Sequence, residues 1–269
     1  MDIYPGKADK LLAETKSPLH DIRVWEKLNG FRYLTLNGVQ QGGNLPGRPE
    51  KLVLPYFRCS TAALAFLDAP RDYLFIGLGM GAVPMYFNTI QPDSYVDAVE
   101  IDPMVVDAAK YWFGLVEDER LKVTAGDGRE FVRTTGRKYD AVFLDAYRDL
   151  SVPSHLTTVE FLEEVKGILK PGGVVVSNLW GSVVNPLFNS CVRGLQVTFP
   201  EVYQFRSYTY NFIFVADTKE GEIMPGDLLS RAKGAMSRMT LGFDLVELIR
   251  RQYTCATSHD FPAEPLHDK

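Results

Sequence analysis

A doubly wound α/β fold, with helices covering both faces of a mostly parallel sheet, is what this 269-residue sequence predicts for most of its length. A small β-hairpin unit is expected ahead of it. Three observations carry the prediction. Short apolar runs alternate with segments of helical period from Tyr73 onward, the order of a parallel sheet covered on both sides. The first of these runs enters a glycine cluster, Gly77-Leu78-Gly79-Met80-Gly81, and the next ends in an acid, Glu100. Upstream, Asn-Gly pairs separate short alternating stretches.

In chain order, Ile22 to Glu26 and Phe31 to Leu36 alternate apolar and polar residues, are separated by Asn29-Gly30 and closed by Asn37-Gly38. They read as antiparallel hairpins within residues 17–41. Gly42 to Pro49 reads as a glycine- and proline-rich loop, and Leu52 to Leu67 has helical spacing. Parallel strands are expected at Tyr73 to Ile76, Ser94 to Val99, Leu121 to Thr124, Tyr139 to Leu144 and Val174 to Asn178. Helices fall between them, such as Pro103 to Phe113 and Val159 to Leu169, the latter stopped by Pro171-Gly172-Gly173. Tyr203 to Arg206 and Phe212 to Ala216 suggest an antiparallel closing pair, Asp227 to Tyr253 is helical in period, and the last dozen residues read as a loose tail. The division expected is residues 1–60 for the hairpin unit and linker and 61–269 for a Rossmann-like nucleoside-binding domain.

A hydrophobic share of 46% with 23% charged residues is ordinary for a globular protein, and the net charge of -5 disfavours a nucleic-acid surface while suiting a cationic substrate. Cys59, Cys191 and Cys255 are far apart and in no CxxC pair, which argues against disulfides or a metal site and fits a reducing, cytoplasmic setting. No signal peptide is expected, since the start lacks a basic segment leading into an apolar one, and no membrane span, since the longest uncharged run is short and cut by glycines and Pro84.

Ligands of an open parallel sheet collect at the carboxyl ends of its strands. Those ends carry Gly77 to Gly81, Glu100 and Asp102, Gly126-Asp127-Gly128, Asp145-Ala146-Tyr147-Arg148-Asp149 and Asn178-Leu179-Trp180. The glycine spacing departs from Gly-x-Gly-x-x-Gly, which suits a ligand other than a pyrophosphate. Each acid taken alone reads equally well as a helix N-cap; jointly they read as a nucleoside pocket. Tyr208 and Tyr210 read as packing residues, and His20 as at most a contact at the pocket edge.

These residues resemble the polyamine aminopropyltransferase (spermidine synthase) family, particularly its shorter bacterial members, from about Ser17 to Ala216. The carriers are Leu36-Asn37-Gly38-Val39-Gln40-Gln41, Gly77-Leu78-Gly79-Met80-Gly81, Val99-Glu100-Ile101-Asp102, Gly126-Asp127-Gly128-Arg129-Glu130-Phe131 and Tyr139 to Asp145. Leu169-Lys170-Pro171-Gly172-Gly173 also occurs in many class I methyltransferases, and the resemblance implies a Rossmann-like sheet of that type. It further implies a transferase that moves an aminopropyl group from decarboxylated S-adenosylmethionine to a small-molecule amine, without metal, as a homodimer. Glu100 would hold ribose hydroxyls, Asp127 with Gly128 would recognise the adenine amino group, and Gln41, Gly77, Gly79, Met80 and Gly81 would surround the donor. Asp145 matches the catalytic aspartate, and Tyr147, Asp149 and Trp180 would line the acceptor channel.

Two positions depart from the pattern. Met80 stands where the family usually has an aspartate that holds the donor's amine, and Arg148 where it has a second acid. Both remove negative charge, and an arginine grips a carboxylate such as that of intact S-adenosylmethionine. A methyltransferase or related transferase using S-adenosylmethionine is therefore the alternative, with a non-catalytic nucleoside-binding subunit a third reading.

Overall fold

The structure, a computed structural model, describes residues 6–147, 152–208, 210–256 and 263–268. A four-stranded antiparallel sheet comes first: β1 (Lys10–Lys16), β2 (Asp21–Glu26), β3 (Arg32–Leu36) and β4 (Val39–Asn44), in chain order. Two expectations change here. The strand β1 was not foreseen, because its residues are mostly exposed and show no apolar face. Gly42 and Gly43, expected in a loop, belong to β4: a Cβ on Gly43 would come within 2.4 Å of the Phe31 ring, and one on Gly42 within 2.9 Å of the Phe57 ring. Glycine here permits close packing rather than a turn.

Instead of one helix over Leu52 to Leu67, the chain forms α1 (Pro55–Ser60) and a 3-10 segment, Thr61–Ala65. Pro55 sets the start at N1, where its missing N–H is no loss. There follow β5 (Asp72–Ile76), α2 (Ala82–Ile90), β6 (Tyr95–Glu100), α3 (Pro103–Phe113), β7 (Leu121–Ala125), α4 (Gly128–Thr134), β8 (Tyr139–Leu144), α5 (Val159–Gly167) and β9 (Leu169–Trp180). The chain continues with α6 (Phe188–Thr198), β10 (Glu201–Arg206), β11 (Asn211–Asp217), α7 (Pro225–Arg238), α8 (Leu245–Gln252) and β12 (Tyr253–Ala256).

The large sheet has eight strands in the order β12-β10-β11-β9-β8-β5-β6-β7. Its five strands from β9 to β7 run parallel, as expected, and β11 and β10 close it antiparallel. The single long helix expected over Asp227 to Tyr253 is two. Gly242, at φ 75°, lies in the connection, the Asp244 side chain caps α8, and the chain then turns back as β12, which pairs with β10 and forms the edge of the sheet. Nor is the whole C-terminal stretch loose: Leu266 bridges to Thr158 at the start of α5.

Alternation along the strands builds two cores. Tyr73, Phe75, Phe143, Val174 and Val176 pack toward α2, α3, α7, α8 and the N-terminal sheet, whereas Leu74, Ile76, Val142 and Val175 pack toward α5 and α6. In the first core Phe75 stacks on Phe143 with centroids 4.3 Å apart, worth about 0.5–1.5 kcal/mol beyond area burial. Ile22, Val24, Tyr33 and Leu34 of the small sheet belong to the same core. Arg32 Nη1 and Asn44 Nδ2 donate to the carbonyls of Trp112 and Phe113 at the end of α3. The small sheet is thereby seated beside the carboxyl ends of β5 and β6.

Candidate functional site

From β5 the chain passes outward to β6 and β7, then returns to β8 on the other side of β5. This reversal leaves a crevice at the strand ends, where open α/β sheets bind ligands. A cavity of about 680 Å³ occupies it, within the range of small-molecule sites.

Gly77 follows β5 at φ 96°, and a Cβ there would lie 2.4 Å from the Asp145 carbonyl oxygen. Its absence lets the end of β8 cross close by, so this glycine shapes the site by placing Asp145. Gly79, at φ 53°, has open space where a Cβ would stand, and borders the cavity. Gly81 does not line it; at φ 82° it opens α2. A Cβ on Gly128 would meet the Ile76 side chain at 2.5 Å, so glycine there lets the start of α4 approach β5. Met80 is 1% exposed and forms an apolar wall with Phe57.

Glu100, the last residue of β6, is buried. Its Oε2 accepts from the N–H of Leu78 at 3.1 Å and of Gly79 at 3.3 Å, and its Oε1 from that of Asp102 at 3.1 Å. Burial pushes its carboxyl above the usual range, against those three bonds. A carboxylate offers about four lone-pair sites, so roughly one stays open toward the cavity. Asp127 is a helix N-cap and also lines the cavity. Its Oδ1 caps α4 by accepting from the N–H of Arg129 at 2.9 Å and of Glu130 at 3.0 Å, while its Oδ2 meets His155 Nε2 at 2.8 Å on the cavity wall. Burial raises this carboxyl, but the N–H of Glu130 and the imidazole of His155 outweigh it and hold it below its ordinary value. Gln41 lines the opposite side, and its carbonyl accepts from the Tyr56 hydroxyl at 2.6 Å.

Asp145 follows β8 on the cavity floor. Asn178 Nδ2 donates to its Oδ1 at 2.7 Å, and Asn178 Oδ1 in turn accepts from Asn211 Nδ2 at 3.0 Å. Burial pushes the Asp145 carboxyl up to about 7, against the Asn178 bond that lowers it. The Tyr147 hydroxyl is taken up by backbone: it donates to the Asn178 carbonyl at 2.9 Å and accepts from the Trp180 N–H at 2.8 Å. Its ring lines the cavity, and Trp180 lies behind it at 5.5 Å between centroids. Asp149 and Arg148 lie outside the described residues. Tyr208 and Tyr210, read as packing residues, are exposed.

Three groups escaped the sequence reading, among them His155, whose ring meets Asp127 on the cavity wall. Asn178 orients Asp145 from the neighbouring strand, a pairing that only the β8–β9 register reveals. His20 is a buried part of the wall, more than an edge contact. Its Nδ1 donates to Asp102 Oδ2 at 2.8 Å, Ser17 Oγ donates to the same oxygen, and Met104 N–H takes Oδ1. Asp102 is thus committed behind His20. Among the described residues no cluster of metal-binding side chains is present.

A family profile for the Spermine/spermidine synthase domain matches residues 63–211. A polyamine aminopropyltransferase from Vibrio vulnificus is 33% identical over 204 residues, 73% of this chain and 67% of that protein; shares of other curated relatives fall as low as 18%. A probable spermidine synthase from Corynebacterium glutamicum superposes over 96% of both chains with a TM-score of 0.74 at 20% identity, a likeness of fold. Human Methyltransferase-like protein 13, solved in complex with SAH, is 30% identical over 70% of this chain and 93% of its own, with a TM-score of 0.63. On the profile match and the Vibrio relative, this chain belongs to the spermine/spermidine synthase family.

Proposed function

We propose that this enzyme transfers an aminopropyl group from decarboxylated S-adenosylmethionine to a small amine. The observation that carries the reading is Asp145, a carboxyl raised to about 7 and aimed by Asn178, on the floor of a cavity whose other acids have room for a nucleoside.

Glu100 takes a ribose hydroxyl with its remaining acceptor site, and Asp127 takes the adenine amino group on the edge it shares with His155. Gln41 closes the donor from the small sheet, with Gly77, Gly79 and Met80 beneath it. The acceptor arrives mostly protonated, since an alkylammonium has a pKa near 10.4. The sulfonium of the bound donor favours the ionised form of Asp145, which takes that proton. The freed amine nitrogen bonds to the methylene carbon beside sulfur while the carbon–sulfur bond breaks, both electrons passing to sulfur, and methylthioadenosine leaves as a neutral thioether. Holding the two reactants in line contributes at least as much as the proton transfer. Tyr147 faces the acceptor, backed by Trp180, and Asp149 is its second acid. The reading extends to a cytoplasmic homodimer whose residues 1–60 form the hairpin unit and linker and 61–269 the catalytic domain. Among the described residues no helix is long and apolar enough to cross a membrane.

A second reading, methyl transfer from intact S-adenosylmethionine, is favoured by Met80, whose buried thioether offers the donor's amine no charge. Incubating the protein with each donor and a panel of amines, then identifying the nucleoside released, separates the two. Methylthioadenosine from the decarboxylated donor supports aminopropyl transfer; S-adenosylhomocysteine indicates the second reading.

A further inference from the structure

Arg129 is charged, 6% exposed, and used by no step of the proposed chemistry. Its Nε and Nη2 donate to the two carboxylate oxygens of Glu164 on α5, both at 2.8 Å, and its Nη1 and Nη2 to the two oxygens of Asp268, both at 2.6 Å. Nη1 also donates to the His155 carbonyl at 3.2 Å. A guanidinium gripped by two carboxylates at once is fixed in position and in plane.

The second carboxylate is needed because Glu164 is shared. Arg133 also donates to it, through Nε at 3.2 Å and Nη2 at 2.9 Å. Two guanidinium groups therefore face two carboxylates, and without Asp268 the buried one competes for a single acceptor. Asp268 is itself well placed. Thr158 Oγ1 donates to its Oδ1 at 2.9 Å, its N–H donates to Glu160 Oε2 at 2.9 Å, and the Leu266 carbonyl accepts from the N–H of Val159 at 2.8 Å.

Two of the residues Arg129 bonds to, Asp127 and His155, line the cavity. Its own N–H caps onto Asp127 Oδ1, and the residue whose carbonyl it binds, His155, puts its ring on Asp127 Oδ2. We propose that Arg129 is a positioning residue for the donor's base, and that residues 266–268 are a strap that completes it by supplying Asp268. The strap fixes the wall formed by Asp127 and His155 from the side away from the ligand. This inference rests on the reading of Asp127 as the contact to the base.

The test uses the full chain, with methylthioadenosine as calorimetric probe and donor and acceptor kinetics beside it. Asp268→Ala is expected to weaken methylthioadenosine binding about tenfold and to raise the donor KM alike, with kcat at saturating donor and the acceptor KM unchanged; Asp268→Asn should fall between. A merely structural role would lower the melting temperature without that split. Asp127→Ala separates the two claims. If it leaves nucleoside binding unchanged, the base contact is wrong and the inference falls with it; if it weakens binding while Asp268→Ala does not, the strap alone is wrong. Hydrogen exchange on the unaltered protein gives an independent check, because coupling is reciprocal. Methylthioadenosine should slow exchange at the amides of Val159 and Asp268, and slowing confined to the start of α4 would overturn the strap.

Discussion

Replacing Asp145 by Asn should make the protein more stable above neutral pH while stopping its chemistry. The carboxyl has an ordinary value of 3.8 and is raised to about 7 in the folded chain. A group bound more tightly by protons when folded lowers stability as pH rises from the unfolded value through the folded one. Integrating over that interval, ionisation of Asp145 removes about 2 kcal/mol between pH 5.5 and 8.5, and about 4 kcal/mol in all, as an upper bound for a group at an open cavity. The amide variant lacks this loss and still presents an oxygen to Asn178 Nδ2. Thermal unfolding at both pH values checks it. The variant should gain on the parent protein at pH 8.5 by about 2–4 °C per kcal/mol recovered, and the gap should narrow at pH 5.5. Turnover should fall by about 10²–10⁴ with nucleoside binding largely retained. A variant less stable than its parent at pH 8.5, or one that keeps most of its turnover, would refute the reasoning.

Other perturbations test the parts around it. Asn178→Ala removes the bond that lowers Asp145, so the acid limb of kcat/KM should move to higher pH; an unmoved limb would deny Asn178 its orienting role. Gly77→Ala places a Cβ 2.4 Å from the Asp145 carbonyl at a positive φ, and should cost about 2–5 kcal/mol in denaturant titration together with activity. Glu100→Gln leaves one acceptor oxygen for three N–H groups and a ribose hydroxyl, and should weaken methylthioadenosine by about 1.5–3 kcal/mol, read by calorimetry. Unchanged affinity would remove Glu100 from the donor site.

How much of this was legible in the sequence depended on the range of the interactions. The inner parallel strands announce themselves, because a strand buried on both faces is largely apolar, and the strand ends put Glu100, Asp127 and Asp145 on one edge. Elements set by distant packing were not legible. Gly42 and Gly43 look like loop glycines until Phe57 and Phe31 are placed against them, and the exposed strand β1 has no pattern to read. The same holds at the site. Asn178 becomes a partner of Asp145 through strand register, and His20 finds Asp102 only when the small sheet is seated. Asp268 meets Arg129 across 139 positions of sequence, beyond any local signal.

The central claim is that Asp145 drives aminopropyl transfer, and single-turnover release of methylthioadenosine from the decarboxylated donor tests it most directly. With an amine acceptor present, the unaltered protein should release methylthioadenosine in one fast phase, and the Asp145→Asn variant should bind the donor yet release almost none. Equal release by both proteins, or S-adenosylhomocysteine formed from intact S-adenosylmethionine in its place, would contradict the account.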